Sequence, residues 1–177
     1  MIIRLSYMDV LIRYAKNEDY LQIISILNQA IQSKQSTGFL NEFSEDDRKD
    51  WFHFHKNSKY PILIAELDNE VIGWISISPY RKARSAFEKT CEVSFFIQNK
   101  FHRMGIGNRL LQKMMIVAEG MNFSCIIAIV LEINTASIML LKKNNFKKWA
   151  YLPKVAEIDG EKISHVYYGK QLQDNLA

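Results

Sequence analysis

The sequence predicts one mixed α/β (α+β) domain, because amphipathic helical segments alternate with short apolar segments along the chain. Its 177 residues are enough for a single core. The 48% hydrophobic and 24% charged residues are typical of a globular protein. No internal repeat, low-complexity segment or linker divides the sequence, so we expect a single domain.

The first half of the chain predicts a strand, two helices and a hairpin. Residues 10–14 have strand composition, and Asn17 is the expected cap of a first helix with a 3.6-residue apolar period. Ser44 followed by Asp47 predicts the start of a second helix. The stretches YPILIAEL and VIGWISISP, joined by DNE, predict an antiparallel hairpin that ends at Pro79. The apolar residues expected on the two helices are Tyr20, Ile23, Ile24, Leu27, Ala30, Ile31, Trp51, Phe52 and Phe54.

The second half predicts strands that alternate with two more helices. After the basic connector YRKARSAFEK, the stretch TCEVSFFIQ has strand composition. RMGIGN then leads into an amphipathic helix that ends near Gly120. SCIIAIVLEI is apolar enough to predict a central strand. Asn134 or Thr135 begins another helix that ends around Asn144 and Asn145, and FKKWAYL and ISHVYYGKQL supply the last strands.

Charge and hydropathy exclude several classes of protein. No apolar run reaches the roughly 18 residues of a membrane span, and Arg4, Asp9 and Arg13 interrupt the N-terminus too early for a signal peptide. We therefore expect a cytoplasmic protein with no membrane partner. The net charge of +4 suits an anionic ligand, but no recognition motif predicts a nucleic-acid partner. One basic cluster is either a solvated surface or a phosphate contact, and it comprises Lys142, Lys143, Lys147 and Lys148.

The two cysteines predict neither a disulfide nor a metal site. Cys91 and Cys125 both fall in apolar segments with strand composition. A free cysteine in such a segment usually behaves as a small buried hydrophobic residue. We therefore expect no metal ligands.

The stretch RMGIGN predicts an anion-binding site. A turn that leads into a helix presents unpaired N–H groups, and the positive end of the helix dipole lies behind them. Gly105 and Gly107 let the backbone approach a phosphate, and Arg103 adds positive charge. A Walker loop is excluded because no Gly-Lys-Ser or Gly-Lys-Thr follows, and a dinucleotide fingerprint because Leu110 occupies its third glycine position. The pyrophosphate of coenzyme A is the third candidate.

At this point the chain resembles the GCN5-related N-acetyltransferase (GNAT) superfamily, and within it the phosphinothricin acetyltransferase branch. The acetyl-CoA motif of the superfamily is Gln/Arg-x-x-Gly-x-Gly/Ala, and residues 102–107 match it except that His102 replaces Gln or Arg. IRYAKNEDYLQIISILNQAI is similar to the opening strand and helix of the family. The stretch from YPILIAEL to SFFI is similar to its hairpin, connector and catalytic strand, and NTASIMLLKKNNF to the segment after its fifth strand.

The resemblance implies a single-domain GNAT-like fold. We expect a central, mixed, mostly antiparallel sheet of about seven strands flanked by helices. The resemblance covers residues 10–172, so we assign 10–172 to the N-acetyltransferase domain, 1–9 to an N-terminal extension and 173–177 to a C-terminal tail. Met8 is an alternative start site. Symmetric dimers are frequent among such relatives, so a homodimer is possible.

The resemblance also implies site residues. Glu92 matches the glutamate of a Thr-x-Glu block and is the expected general base, directly or through a water. Glu88 is the reserve candidate, although its place in the connector favours a surface role. Acetyl-CoA is the implied co-substrate. The residues expected to bind it are Phe95, Phe96, Ile97, Arg103, Met104, Gly105, Ile106, Gly107, Asn108, Asn134 and Ser137.

Some of the expected coenzyme contacts have a structural alternative, and one family position is changed. Asn134 fits a helix cap as well as a ligand contact. Phe95 and its neighbours would also serve as core residues. Leu141 occupies the position where many relatives place an acid for the leaving thiolate. An acyl-CoA sensor without catalysis is therefore the alternative function.

In the phosphinothricin branch the acceptor is a small amino acid or an analogue. Arg81 and Arg84 match the basic connector before the catalytic strand and are the expected contacts to an anionic group of the acceptor. Phe39 is an expected wall of the pocket, whereas Trp74 is a core candidate. His165 either orients the acceptor, transfers a proton or is simply packed.

Overall fold

One seven-stranded sheet runs through residues 10–172, the part of the chain that the computed structural model describes. Its strands are β1 (Leu11–Tyr14), β2 (Ile62–Leu67), β3 (Glu70–Pro79), β4 (Thr90–Ile97), β5 (Cys125–Leu131), β6 (Lys147–Ile158) and β7 (Glu161–Gln171). Their order in the sheet is β1-β2-β3-β4-β5-β7-β6. Only the β4–β5 pair among these is parallel, so the mixed, mostly antiparallel sheet is confirmed. The predicted extension (1–9), with Met8, and the tail (173–177) lie outside the described residues.

Four helices cover the two faces of this sheet. They are α1 (Tyr20–Gln32), α2 (Lys49–Lys56), α3 (Ile106–Gly120) and α4 (Thr135–Lys143). Side chains of β2 alternate between the faces: Ile62 and Ile64 pack in a cluster with α1, whereas Leu63 packs in a cluster with α3 and α4. We call these the α1/α2 face and the α3/α4 face.

Burial confirms the residues predicted to be structural. Trp74 is fully buried on the α1/α2 face, and its Nε1–H donates to the Ile23 carbonyl at 3.0 Å. Cys91 and Cys125 are buried free thiols, and burial raises the pKa of Cys91 to about 12. The central position predicted for β5 is also confirmed, since β4 and β7 flank it.

The sequence predicted the presence of the helices correctly, but it placed the starts of α1 and α2 too early. The predicted cap at Asn17 is wrong: the Lys16 N–H donates to Asp19 Oδ2 at 2.6 Å, and Asn17 is the first residue of a 3₁₀ turn that precedes α1. The Ser44 N–H does donate to Asp47, but α2 begins only at Lys49. Both differences arise because a side-chain to backbone hydrogen bond also forms in isolated turns.

The predicted start and end of α4 agree with the structure. Asn134 caps α4, because its Oδ1 accepts from the Ser137 N–H at 3.1 Å. Asn145, just after α4, has a φ of 65°, the left-handed conformation that asparagine tolerates.

A buried carboxylate beside β1 predicts acid sensitivity. Asp19 receives two hydrogen bonds from Arg13, at 2.7 and 2.9 Å, and Arg13 also binds Glu66. Burial alone would raise the pKa of Asp19, but the Arg13 and Lys16 hydrogen bonds outweigh it and lower that pKa. A lowered folded-state pKa stabilises the protein above the unfolded-state pKa, and this stability is lost as pH falls through the folded-state value.

We therefore expect Asp19→Asn to lower the free energy of unfolding by about 1–3 kcal/mol at pH 7. The difference from the wild type should shrink as the pH falls through the lowered pKa of Asp19, because the carboxylate then becomes protonated in the wild type. Urea unfolding at several pH values measures both effects. Glu18→Gln is the control, because Glu18 is exposed and its ion pair with Lys16 lies at the surface. A pH-independent difference would contradict the linkage.

Candidate active site

The middle of the sheet opens into a wedge between β4 and β5. These strands pair at only three positions, and the last of them joins Glu92 to Ile127. β4 continues to Ile97 and β5 to Leu131 without further pairing between them. One edge of β4 beyond Glu92 therefore has peptide groups that no neighbouring strand uses.

The register of β3 and β4 tells which peptide groups face this wedge. The Gln98 N–H donates to the Ile72 carbonyl of the β3 side at 3.0 Å. Because hydrogen bonding alternates along an antiparallel ladder, even-numbered residues of β4 bond to β3 and odd-numbered residues point toward β5. The peptide groups of Phe95 and Ile97 therefore face the wedge, whereas those of Phe96 are directed at β3.

His102 has a contact that the sequence did not indicate. Its Nε2–H donates to the Ile97 carbonyl at 2.9 Å. This hydrogen bond joins the turn to the end of β4 and occupies the Ile97 carbonyl. The Ile97 N–H and both peptide groups of Phe95 are left directed at the wedge.

The turn that follows β4 is built as an anion site. Gly105 caps α3 with a φ of 80°, and Arg103 also has a positive φ, of 62°. Among the described residues, no acceptor receives a hydrogen bond from the N–H groups of 103–108. These donors lie at the N-terminus of a 15-residue helix, where the dipole favours negative charge. The residues present therefore fit a pyrophosphate group.

Gly107 and Asn108 lie where α3 packs against α4. A Cβ on Gly107 would lie 3.1 Å from Leu140 Cδ2, so this glycine permits a close contact between the helices. Asn108 Oδ1 accepts from Asn144 Nδ2 at 2.9 Å. The Asn108 side chain is thus engaged in the fold, and its backbone N–H is the group that a ligand could use.

α4 begins shortly after β5, the second strand of the wedge. Asn134 is buried and its Oδ1 is used in the cap, in agreement with the structural alternative for this residue. Leu141 is fully buried in the α3/α4 cluster. The family position for an acid is therefore filled here by a core residue.

Glu92 points to the α1/α2 face of the sheet. Its neighbours Cys91 and Val93 are buried in the α3/α4 cluster, so the alternation of β4 directs Glu92 to the α1/α2 face. Glu92 is half-buried, and this burial raises the pKa of its carboxyl, while the positive charge of Arg81 opposes the rise. Glu88 is exposed and lies before β4, as its predicted surface role requires.

The residues predicted to bind the acceptor fall into two places. Arg81 lies over the ring of Tyr80 at 5.2 Å, and its positive charge lowers the pKa of Glu92 against the effect of burial. Arg84 is exposed, and its backbone N–H donates to the backbone carbonyl of Arg81 at 3.2 Å. Phe39 lies between α1 and α2 in the sequence; the residue is 42% exposed, and its ring packs edge-on against Phe43.

Aromatic residues of β6 and β7 line the same face, and the sequence did not single them out. A Cβ on Gly169 would lie 2.1 Å from the Trp149 ring, so this indole covers Gly169. Gly169 pairs with Ile127, which pairs with Glu92, so the indole and the carboxylate lie in one row across the sheet. The nearest sequence signal was the aromatic content of FKKWAYL.

His165 lies further along β7 on this face. It pairs with Leu131 of β5, and its ring is 6.0 Å from the ring of Tyr167. Partial burial lowers the pKa of His165, which favours a neutral imidazole.

Residues 10–172 contain no group of three or more side chains that could hold a metal ion. None of the helices described here is both long and apolar enough to cross a membrane.

Comparison with known proteins identifies the family. The model of the acetyltransferase (GNAT) family matches residues 28–146. The chain is 31% identical over 162 residues to YwnH of Bacillus subtilis (strain 168), which bears the provisional name phosphinothricin acetyltransferase, and the match covers 91% of this chain and 98% of that protein. It is 25% identical over 166 residues to the L-methionine sulfoximine/L-methionine sulfone acetyltransferase of Salmonella typhimurium (strain LT2), covering 94% and 96%.

A solved structure agrees with these sequence matches. The structure of yncA from Salmonella typhimurium, with its cofactor acetyl-CoA, has a TM-score of 0.89 and 25% identity, and the match covers 96% of this chain and 97% of that one. The fold and the site thus define an acetyl-CoA-dependent N-acetyltransferase. The chain belongs to the acetyltransferase (GNAT) family. The roles of individual residues stay predictions.

Proposed function

We propose that this protein acetylates the amino group of a small amino acid or analogue, with Glu92 as general base. The observation that carries the proposal is the position of Glu92, which is half-buried at the last β4–β5 pair, where the wedge opens. A base at this position lies beside the peptide groups that would meet an acyl group in the wedge. The names of relatives that acetylate methionine sulfoximine and methionine sulfone support the choice of acceptor.

The environment of Glu92 suits proton abstraction. An amine must lose a proton to attack a thioester, and a base is most effective when its pKa lies near the working pH. Burial raises the pKa of Glu92 toward that range, and Arg81 keeps the rise moderate. Glu92 then accepts the amine proton directly or through a water.

Peptide groups of β4 supply the electrostatic part of catalysis. The N–H groups of Phe95 and Ile97 are directed at the wedge and can donate to a carbonyl oxygen there, where negative charge develops. The N–H groups of 103–108 would hold the pyrophosphate at the other end of the coenzyme. When bound, the coenzyme supplies an activated acyl group and a thiolate leaving group. Because Leu141 is a core residue, we propose that the thiolate leaves without a side-chain acid.

A panel of acceptors tests the proposal. Thiol release from acetyl-CoA should be measured with methionine sulfoximine, methionine sulfone, phosphinothricin, polyamines and peptides with free N-termini. We expect turnover with the amino-acid analogues and little with polyamines or peptides. The alternative function, an acyl-CoA sensor, predicts tight binding of acetyl-CoA and no turnover above the uncatalysed background with any amine.

The pH dependence tests the coupling of Arg81 to Glu92. Arg81 lowers the pKa of Glu92, so its removal should raise that pKa further. We expect Arg81→Gln to shift the acidic limb of the kcat/KM profile to higher pH, because more alkaline solution is then needed to ionise the base. Lys82→Gln is the control, since Lys82 contacts Phe54 instead. If the acidic limb does not shift, Arg81 does not influence the pKa of Glu92.

We also propose that two copies associate through β6. This 12-residue strand is an edge of the sheet described here and carries exposed Trp149, Tyr151 and Val155. A long edge strand with exposed apolar side chains is a surface for pairing with another chain. Light scattering should give the mass of a dimer for the wild type and a lower mass for Val155→Lys, whereas a monomeric wild type would refute the proposal. The cytoplasmic location and the absence of a nucleic-acid partner stay predictions.

A further inference from the structure

Trp149 is a large aromatic residue whose position is fixed by a missing side chain on the neighbouring strand. A Cβ on Gly169 would overlap the six-membered ring of the indole, so this ring rests in the space that a side chain at 169 would fill. The register of β6 shifts between Lys148 and Ala150, which places a β-bulge at Trp149. Bulges redirect side chains and are frequent next to active sites. The fold thus directs the indole onto β7.

The exposure of Trp149 goes beyond what a structural cover requires. An aromatic ring that covers a strand glycine stabilises a sheet, and such a ring gains most when it is itself buried. Trp149 is instead 46% exposed, whereas the indole of Trp74 is fully buried. One side of the Trp149 indole rests on the sheet, and the rest of it is accessible to a ligand.

Helices α1 and α2 cover only part of their face of the sheet. The apolar cluster that they form includes residues of β2, β3 and β4, but within residues 10–172 it includes none of β5, β6 or β7. Ile129 and Tyr167 form a cross-strand pair on this face and are only partly buried. We call Ile127, Ile129, Tyr167 and Trp149 the apolar ledge.

The apolar ledge extends from the proposed base to the indole. Glu92 pairs with Ile127, and Ile127 pairs with Gly169, beneath the indole. Neighbouring strands lie about 4.8 Å apart, so the backbone at Gly169 is about 10 Å from the backbone at Glu92. Only one strand separates them, and its residue in this row is Ile127. A small molecule whose amine lies at Glu92 can therefore reach the indole with its side chain.

We propose that the Trp149 indole is the end wall of the acceptor pocket and limits the length of the apolar side chain that the acceptor carries. The inference rests on the proposed function and adds a specificity-determining residue to it. The side chain of the acceptor extends over Ile127 and Ile129, where each methylene removed from water improves kcat/KM about fourfold. This gain ends where the side chain reaches the indole, because a longer chain has no space to extend.

A series of unbranched amino acids measures the position of this wall. Alanine, 2-aminobutyrate, norvaline, norleucine and 2-aminoheptanoate differ only by methylene groups, and thiol release from acetyl-CoA gives kcat/KM for each. We expect kcat/KM of the wild type to rise to a maximum and then fall. In Trp149→Ala the maximum should move to a longer side chain, and the preference for the next longer acceptor should rise about tenfold or more. Trp149→Phe should shift it less, because its smaller ring still covers Gly169.

Tyr151→Ala separates the proposed role from a structural one. Tyr151 also lies on β6 and is also 46% exposed, but it pairs with Val166, which packs on the α3/α4 face. A change in stability or in association through β6 would affect both variants, whereas the position of the maximum should stay that of the wild type in Tyr151→Ala. A ratio of two kcat/KM values within one variant does not depend on the folded fraction. The same maximum in Trp149→Ala and the wild type would overturn the inference.

Dissociation constants of the same series distinguish this inference from the proposed function. Calorimetry on protein saturated with coenzyme A gives the preferred length without catalysis. If the wild type acetylates amino acids and the preferred length does not depend on Trp149, only the end wall is wrong. If the preferred length for binding shifts in Trp149→Ala and no amine is acetylated, the end wall stands and the proposed catalysis is wrong. If no member of the series binds or reacts, both are wrong.

Discussion

Replacement of Glu92 by glutamine is expected to lower kcat by about 10²–10⁴-fold, the usual contribution of a general base. Glutamine keeps the size and the hydrogen-bonding atoms of the side chain but cannot accept a proton at the working pH. The phosphate site at 103–108 follows the end of β4, away from Glu92 at the last β4–β5 pair, so the dissociation constant of acetyl-CoA should stay the same. Steady-state kinetics and calorimetry measure the two quantities.

Stability should respond in the opposite direction to activity. Burial raises the pKa of Glu92, so its ionised form is disfavoured in the folded protein. A folded-state pKa above the unfolded-state value means that ionisation destabilises the fold once the pH exceeds the unfolded-state pKa. The neutral Glu92→Gln variant should therefore melt at the same temperature as the wild type or higher at pH 7, which separates lost catalysis from lost folding.

Glu88→Gln is the matched control for this substitution. Glu88 was the reserve candidate for the base, and it is exposed before the start of β4. Its replacement should leave kcat within about threefold of the wild type, because an exposed carboxylate away from the wedge contributes little. If Glu88→Gln loses most of its kcat while Glu92→Gln stays active, Glu88 and not Glu92 is the general base.

Local patterns in the sequence were sufficient for the elements of the fold. Helical and strand periods depend on residues only a few positions apart, so they can be recognised without tertiary contacts. The turn at RMGIGN could be predicted for the same reason, because Gly105 and the helix after it are adjacent in the chain. The starts of α1 and α2 were harder, since the hydrogen bonds at Asp19 and Asp47 close turns before the helices begin.

The site depended on contacts that no local pattern contains. Where β4 and β5 separate is decided by the pairing of strands that lie 35 residues apart at Glu92 and Ile127. The partners of Glu92 on the neighbouring strands, Ile127 of β5 and Gly169 of β7, likewise come from distant parts of the sequence. The resemblance to a family supplied Glu92, but the burial that raises the pKa of its carboxyl and the opposing charge of Arg81 depend on the folded structure.

Replacement of Gly105 by alanine is expected to weaken acetyl-CoA binding by about 5- to 30-fold. Gly105 caps α3 at a φ of 80°, where a side chain costs roughly 1–2 kcal/mol. Relief of this strain requires the turn to move, which would direct the N–H groups of 103–108 away from a bound phosphate. The loss in affinity should therefore approach the cost of the left-handed conformation.

Gly160 provides a matched control for Gly105. It has a φ of 83° and lies in the turn between β6 and β7, with no atom within 4 Å of an added Cβ. Gly160→Ala should therefore lower stability by a similar amount through the same backbone strain, but it should leave the dissociation constant of acetyl-CoA unchanged, because this turn is not part of the phosphate site. Calorimetry on both variants separates the two effects. Equal affinities in Gly105→Ala and Gly160→Ala would show that the coenzyme does not bind against the N-terminus of α3.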